Sequence, residues 1–186
     1  MSTQIEPLLI IADLEAMPDD GKRYEIIEGE LFVLCAPDLD HQTVCLNVAI
    51  DISQYLSESP IGKIWITPGV ILSEDSGVIP DIVFVSNELL EEIASGKKIT
   101  GAPDLVVEII SPGAENDRRD RTVKRHLYGK HGVKEYWLFN PATRSVDVYV
   151  LKGRTLRHWK TYGEEDELVS SVLPGFNCKV ANIFRP

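Results

Sequence analysis

Glu108 stands in the middle of an apolar run, Ala102-Pro103-Asp104-Leu105-Val106-Val107-Glu108-Ile109-Ile110-Ser111-Pro112. Runs of this length, rich in Val and Ile and bounded by proline, form buried β-strands. A lone ionised carboxylate there is costly unless a cation or a hydrogen-bond donor meets it. Glu108 therefore needs a metal ion, a lysine or arginine, or a site open to water; otherwise this end of the strand lies at an edge and the carboxylate is simply solvated. Intruding charges cluster at functional sites, and the aliphatic residues on both sides favour a site. A second acid, Asp81, sits in Val78-Ile79-Pro80-Asp81-Ile82-Val83-Phe84-Val85, and its Pro-Asp pair recurs at Pro103-Asp104. Asp104 and Glu108 share a strand face, but four residues of strand span roughly 13 Å. One metal ion holds its oxygen ligands at about 2–2.6 Å, so Asp104 is better suited to starting the strand. Asp81, on a separate strand, can come alongside Glu108. An Asp and a Glu converging from neighbouring strands make a hard oxygen site suited to magnesium or manganese.

A cation follows. Asp117, Asp120, Arg121, Lys124 and Tyr128 recur at spacings of three and four, which puts them on one helix face, with Val123 and Leu127 opposite to pack on a sheet. Lys124 either reaches back to Glu108, to orient a water or balance a phosphate, or makes an ordinary pair with Asp120 on a solvated helix. Arg118, Arg119, Arg121, Lys124 and Arg125 place five cations within eight residues. They offer phosphate contacts, or they merely solvate the helix.

The elements that must position these groups are legible in the remaining chain. Its 186 residues, 44% of them hydrophobic, suit one domain with a real core spanning 1–186. A helix is expected at 11–17, and strands at 22–28 and 30–34 form a hairpin about Gly29. A long amphipathic helix at 40–58 carries His41 in its first turn. Strands at 64–67 and 70–72 flank Pro68-Gly69; a strand at 78–85, a short helix at 87–95 and a polar connector at 96–101 follow. Beyond the Glu108 strand come a charged helix at 116–130 closed by Gly132, a strand at 135–139, a hairpin of 146–151 with 155–162, and an edge segment ending at Phe176. The expected class is a single mixed α/β domain, with β-hairpins towards both ends. The net charge of -10 excludes a general nucleic-acid coat protein; it leaves room for a nuclease with a local positive surface and a bound cation. Cys35, Cys45 and Cys178 are scattered, so neither a disulfide framework nor a zinc site is supported. No run has the length of a membrane span, and Met1 to Glu6 lack the features of a signal peptide, so a cytoplasmic protein without a membrane partner is expected.

The ordered set Glu28, His41, Pro80-Asp81, Glu108-Ile109-Ile110-Ser111-Pro112, Asp120 with Lys124, Tyr128, Gly132-Val133, Glu135-Tyr136-Trp137 and Asn140-Pro141 resembles the Uma-type family of bacterial restriction endonucleases. That family belongs to the PD-(D/E)xK nuclease superfamily and was formerly a domain of unknown function. The resemblance runs from about Tyr24 to Phe176 and is most specific from Pro103 to Pro141. It implies a restriction-endonuclease-like core, a central mixed sheet flanked by helices, and a Mg2+- or Mn2+-dependent endonuclease that hydrolyses phosphodiester bonds of DNA. In that reading Asp81 and Glu108 hold the metal, with the Ile109 carbonyl as a further ligand, and Glu28 supplies the N-terminal acid near it. The superfamily's lysine two residues after the glutamate is replaced by Ile110, and Lys124 inherits its role by position. His41, Arg118, Arg119, Arg121 and Arg125 are implied contacts to nucleic acid, and a homodimer is implied by the symmetric pairing of many related folds. Ile110 in the lysine position, together with the acidic total, keeps a second reading open: a catalytically weak or inactive nuclease fold that binds nucleic acid or a protein partner.

Overall fold

The computed structural model describes residues 8–18 and 20–185; the Met1 to Glu6 segment read above for targeting lies outside them. After a one-turn helix α1 (Ile11–Glu15), strands β1 (Arg23–Ile27) and β2 (Glu30–Leu34) form the expected hairpin. Its two-residue loop puts Glu28 at φ 50° and Gly29 at φ 84°, the left-handed pair that matches the natural twist of a hairpin. Helix α2 (Leu39–Glu58) starts where the Asp38 side chain accepts the His41 amide at 2.8 Å. It buries His41, Val44, Cys45, Val48, Ala49 and Ile52, a stripe at helical spacing.

Next, β3 (Gly62–Ile66) and β4 (Val70–Ser73) do not pair with each other. Thr67 at φ 49° and Pro68-Gly69 turn the chain from one sheet into another. The segment expected as one strand over 78–85 is also divided, into β5 (Ser76–Val78) and β6 (Ile82–Ser86). Pro80, which has no N–H to donate, lies in the break. Helix α3 (Asn87–Ile93) follows, and the polar connector contains a short strand, β7 (Ile99–Thr100).

Strand β8 (Leu105–Ile109) is buried at every residue, because it is covered on both faces. The helix after it has three parts: α4 (Ala114–Arg118), a π-helical turn at Arg119–Lys124, and α5 (Arg125–His131), closed by Gly132 at φ 97°. Then come β9 (Glu135–Asn140), β10 (Ser145–Lys152), β11 (Thr155–Tyr162), β12 (Glu167–Val169), β13 (Asn177–Lys179) and α6 (Val180–Ile183).

The larger sheet runs β11-β10-β9-β8-β6-β3, mixed, with β8 and β9 parallel and the other pairs antiparallel. A second sheet runs β2-β1-β5-β4-β7, and β12 pairs with β13. Val44, Val48 and Ile52 pack with Val107, Ile109, Trp137 and Phe139 on one face of the large sheet. Leu127 and Tyr128 pack with Val106, Tyr136 and Leu138 on the other. The result is the expected mixed sheet flanked by helices, with hairpins β1–β2 and β10–β11 towards the two ends. No helix among the described residues is long and apolar enough to cross a membrane.

Candidate active site

The register of β6 against β8 brings the two acids together. Ile82 is opposite Val107, so the residue before the first and the residue after the second meet at one end of the sheet. Asp81 Oδ2 accepts the Ile109 amide at 2.7 Å and lies 3.1 Å from Nε2 of His41. The break at Pro80 therefore has a use: it frees the Asp81 carboxylate to cap β8 instead of continuing a strand. Asp81, Glu108 and Ile109 line a cleft of about 740 Å³, walled by the start of α2, the segment after β2 and the π turn.

A π turn carries one extra residue per turn and recurs at functional sites. Here it directs Lys124 inward, where only 2% of the residue is exposed. The ammonium donates to Glu108 Oε1 at 2.9 Å and to Glu25 Oε1 at 3.0 Å, and Tyr128 OH donates to the same Glu108 oxygen at 2.6 Å. Lys124 thus reaches back to the strand carboxylate across sixteen residues of sequence. Asp120 is occupied separately: its carboxylate accepts Arg119 Nε at 3.1 Å and its carbonyl accepts Tyr136 OH. Of the two readings of this helix face, the structure has the inward one: Lys124 meets Glu108 and not Asp120.

Burial in this setting shapes the charges. Desolvation pushes the Glu108 carboxyl up to about 8; Lys124 opposes that, while Asp81, Asp120 and Glu25 add to it. Burial alone would lower the Lys124 ammonium, but Glu108, Glu25 and Asp120 outweigh it and hold it above an ordinary lysine. Burial raises Asp120 against the pull of Lys124 and Arg119. For His41, burial pulls downward but its contacts with Asp81 prevail, so its pKa is raised. Four carboxyl groups thus crowd around Lys124, Arg119 and His41, and burial favours the neutral forms of Glu108 and Asp120.

Of the residues expected in the site, the structure brings together Asp81, Glu108, Ile109, His41, Lys124 and Arg119. Glu28 is not among them: it lies in the hairpin loop and pairs at the surface with Lys130 at 2.6 Å. Arg121 is held by Asp117 and Asp147, Arg125 lies over the Tyr149 ring, and Arg118 is exposed on α4. The acid on the N-terminal hairpin that does enter is Glu25, completely buried, whose Oε1 also accepts the Ile79 amide at 2.8 Å. It was missed because an acid beside Tyr24 in a short strand reads as an edge residue. The available signal was Ile26-Ile27 after it, which marks a strand covered on both faces. Arg23 also lines the cleft.

Among the described residues, no cluster of three or more His, Cys, Asp or Glu has metal-holding geometry. The oxygens that could meet a cation are then those of two carboxylates. Asp81 Oδ1 and Glu108 Oε2 accept no hydrogen bond from the described residues, and both side chains line the cleft. Few hard oxygens with the remaining positions left to water fit magnesium or manganese better than zinc or calcium.

No curated protein matches the chain. Among solved structures, a protein of Anabaena variabilis described as "a putative nuclease belonging to DUF820" superposes with a TM-score of 0.76 over 95% of this chain and 97% of that one, at 17% sequence identity. At that identity the likeness speaks for the fold. The sequence profile of the Uma2 family, described as "Putative restriction endonuclease", matches residues 11–181. Spanning nearly every element described above, that match makes this chain a member of the Uma2 family.

Proposed function

We propose that this protein is a divalent-metal-dependent endonuclease of the PD-(D/E)xK kind, hydrolysing phosphodiester bonds of DNA as one domain over residues 1–186. The observation that carries the reading is the meeting of Asp81 and Glu108 at one end of the sheet, each with an oxygen that accepts no hydrogen bond from the described residues, beside a buried Lys124. Asp81 and Glu108 would hold Mg2+ or Mn2+ with the Ile109 carbonyl. A cation bound there supplies Lewis acidity to the scissile phosphate and lowers the pKa of a water.

The chain's own residues do the rest. His41 and the Ile109 amide fix the rotamer of Asp81, and Tyr128 with Lys124 fixes that of Glu108. The Lys124 ammonium places positive charge next to the attacking water and the phosphate, a preorganised charge that needs no rearrangement during reaction. Arg119 and Arg23 line the cleft where a phosphate would rest. Glu25, not Glu28, is the N-terminal acid of this arrangement, acting on Lys124. Leu31 and Val33, exposed on edge strand β2, offer a surface for a homodimer, which sedimentation would detect. A cytoplasmic location accords with this substrate.

The test is cleavage of supercoiled plasmid and single-stranded DNA with magnesium, with manganese and with chelator, using wild type, Asp81→Ala, Glu108→Ala and Lys124→Ala. Metal-dependent nicking lost in all three variants is expected. Nicking that survives in Asp81→Ala would remove the metal site from this reading. A second reading, an inactive nuclease fold that binds nucleic acid or a protein, is favoured by the full engagement of Lys124 with two carboxylates. It predicts no cleavage with any metal by a folded wild type.

A further inference from the structure

The protein is acidic overall, yet residues 148–163 contain Lys152, Arg154, Arg157 and Lys160 and no Asp or Glu. They build most of the β10–β11 hairpin, whose outer strand β11 is an edge of the large sheet. Val148 is opposite Lys160 and Tyr149 opposite His158, so Trp159 is an extra, unpaired residue at a β-bulge. Bulges at sheet edges re-aim side chains and block pairing with another strand. This one leaves Trp159 67% exposed. An indole in that position gains nothing from the core, and its neighbours Arg157, His158 and Lys160 are exposed as well.

The charges around it differ in availability. Arg154 is committed to the Lys130 carbonyl at the end of α5, and Lys160 pairs with Asp166. Arg157 and Lys152 make no ion pair among the described residues and remain for a partner. The hairpin is also tied firmly to the helix that carries Lys124. A Cβ on Gly129 would lie 2.8 Å from the Leu156 amide, so α5 and β11 touch backbone to backbone. The Tyr149 ring has Arg125 of α5 on it at 5.2 Å and the His158 ring against it at 5.5 Å. Arg125 of α5 and His158 of β11 thus meet on one ring, while Arg157 alternates to the other face of the strand.

We propose that the β10–β11 hairpin is a nucleic-acid docking arm, in which Trp159 stacks on a base of a strand outside the cleft while Arg157 and Lys152 meet its phosphates. An exposed aromatic among unpaired cations is the chemistry by which proteins hold single-stranded nucleic acid without reading its sequence. The acidic total confines polyanion binding to such local patches. The proposal rests on the nuclease reading only for the choice of a nucleic acid as partner.

Binding of a short fluorescein-labelled single-stranded oligonucleotide, measured by anisotropy in chelator, tests it without any cleavage. Trp159→Ala is expected to weaken binding about tenfold and Trp159→Phe to restore most of it. Arg157→Gln is expected to lower the slope of log K against log salt by about 0.7. Equal binding by Trp159→Ala and wild type overturns the arm, as does loss of self-association in that variant at unchanged oligonucleotide affinity, which would make β11 a contact between copies. A wild type that cuts DNA yet binds no differently in Trp159→Ala keeps the nuclease and removes the arm. One that cuts nothing yet shows these losses keeps the arm and removes the nuclease. A wild type that binds no oligonucleotide overturns the arm.

Discussion

Lys124→Met isolates what the buried ammonium contributes. Methionine fills nearly the same volume, so no cavity opens and the loss is one charge with two hydrogen bonds. Glu25 and Glu108, each within about 3 Å of the ammonium, would be left buried without their cation. Breaking a buried pair by removing one partner costs about 3–5 kcal/mol. For a domain of this size each kcal/mol moves Tm by about 2–4 °C, which gives a fall of about 6–20 °C. Glu108 can relieve the cost by taking up a proton, and it is already pushed up to about 8 by burial. Losing Lys124 raises it further above its unfolded value. The stability it contributes is then fully present below the unfolded pKa near 4.5 and is lost as pH rises. Calorimetry at a series of pH values should therefore find the deficit largest near pH 8 and shrinking towards pH 5. Plasmid nicking by the variant should fall by about a hundredfold or more. A melting temperature within about 2 °C of wild type, unchanged across that range, would refute the account of Lys124 as the charge that neutralises the site.

The remaining predictions use other parts of the same network. His41→Ala removes the donor at 3.1 Å from Asp81, and isothermal titration should find manganese affinity about 10–100-fold weaker. In the wild type, the raised Glu108 pKa means that added divalent metal should raise Tm more at pH 8 than at pH 6, since a protonated carboxyl is a poor ligand; an equal gain at both would count against Glu108 as a ligand. Glu135→Ala leaves Trp137 Nε1, the Ser170 hydroxyl and the Ser171 amide and hydroxyl without their acceptor. It should cost about 3 kcal/mol or more, read by urea unfolding, while nicking per folded molecule is preserved.

The elements that local chemistry controls were legible in the sequence. Gly29 marked the hairpin, though Glu28 belongs to its turn and not to the strand expected over 22–28; the stripe from Val44 to Ile52 could only be a helix face, and β8 declared itself by composition. Asp81 and Glu108 were legible for the same reason, since each interrupts an apolar run. What stayed hidden depends on contacts distant in the chain. Nothing within β3 separates it from β4, because the partner that draws it away, β6, lies beyond both β4 and β5. Glu25 and Glu28 are both plausible acids on one hairpin; which is buried depends on Lys124, about a hundred residues away. The outward appearance of the charged helix was deceptive because the π turn shifts its register, turning Asp120 and Lys124 towards the sheet.

Placing the carboxylates on the sheet and their cation on a separate helix also has a kinetic consequence. When a lysine shares the strand with its glutamate, the two groups are in place as soon as that strand is. Here Glu108 belongs to the fully buried β8, whereas Lys124 arrives only when the segment 114–131 docks. Detachment of that segment would disassemble the cluster while the strands stayed paired, at a free energy below that of global unfolding. Amide exchange should register such an opening as common protection across 119–131, lower than that of β8 and β9.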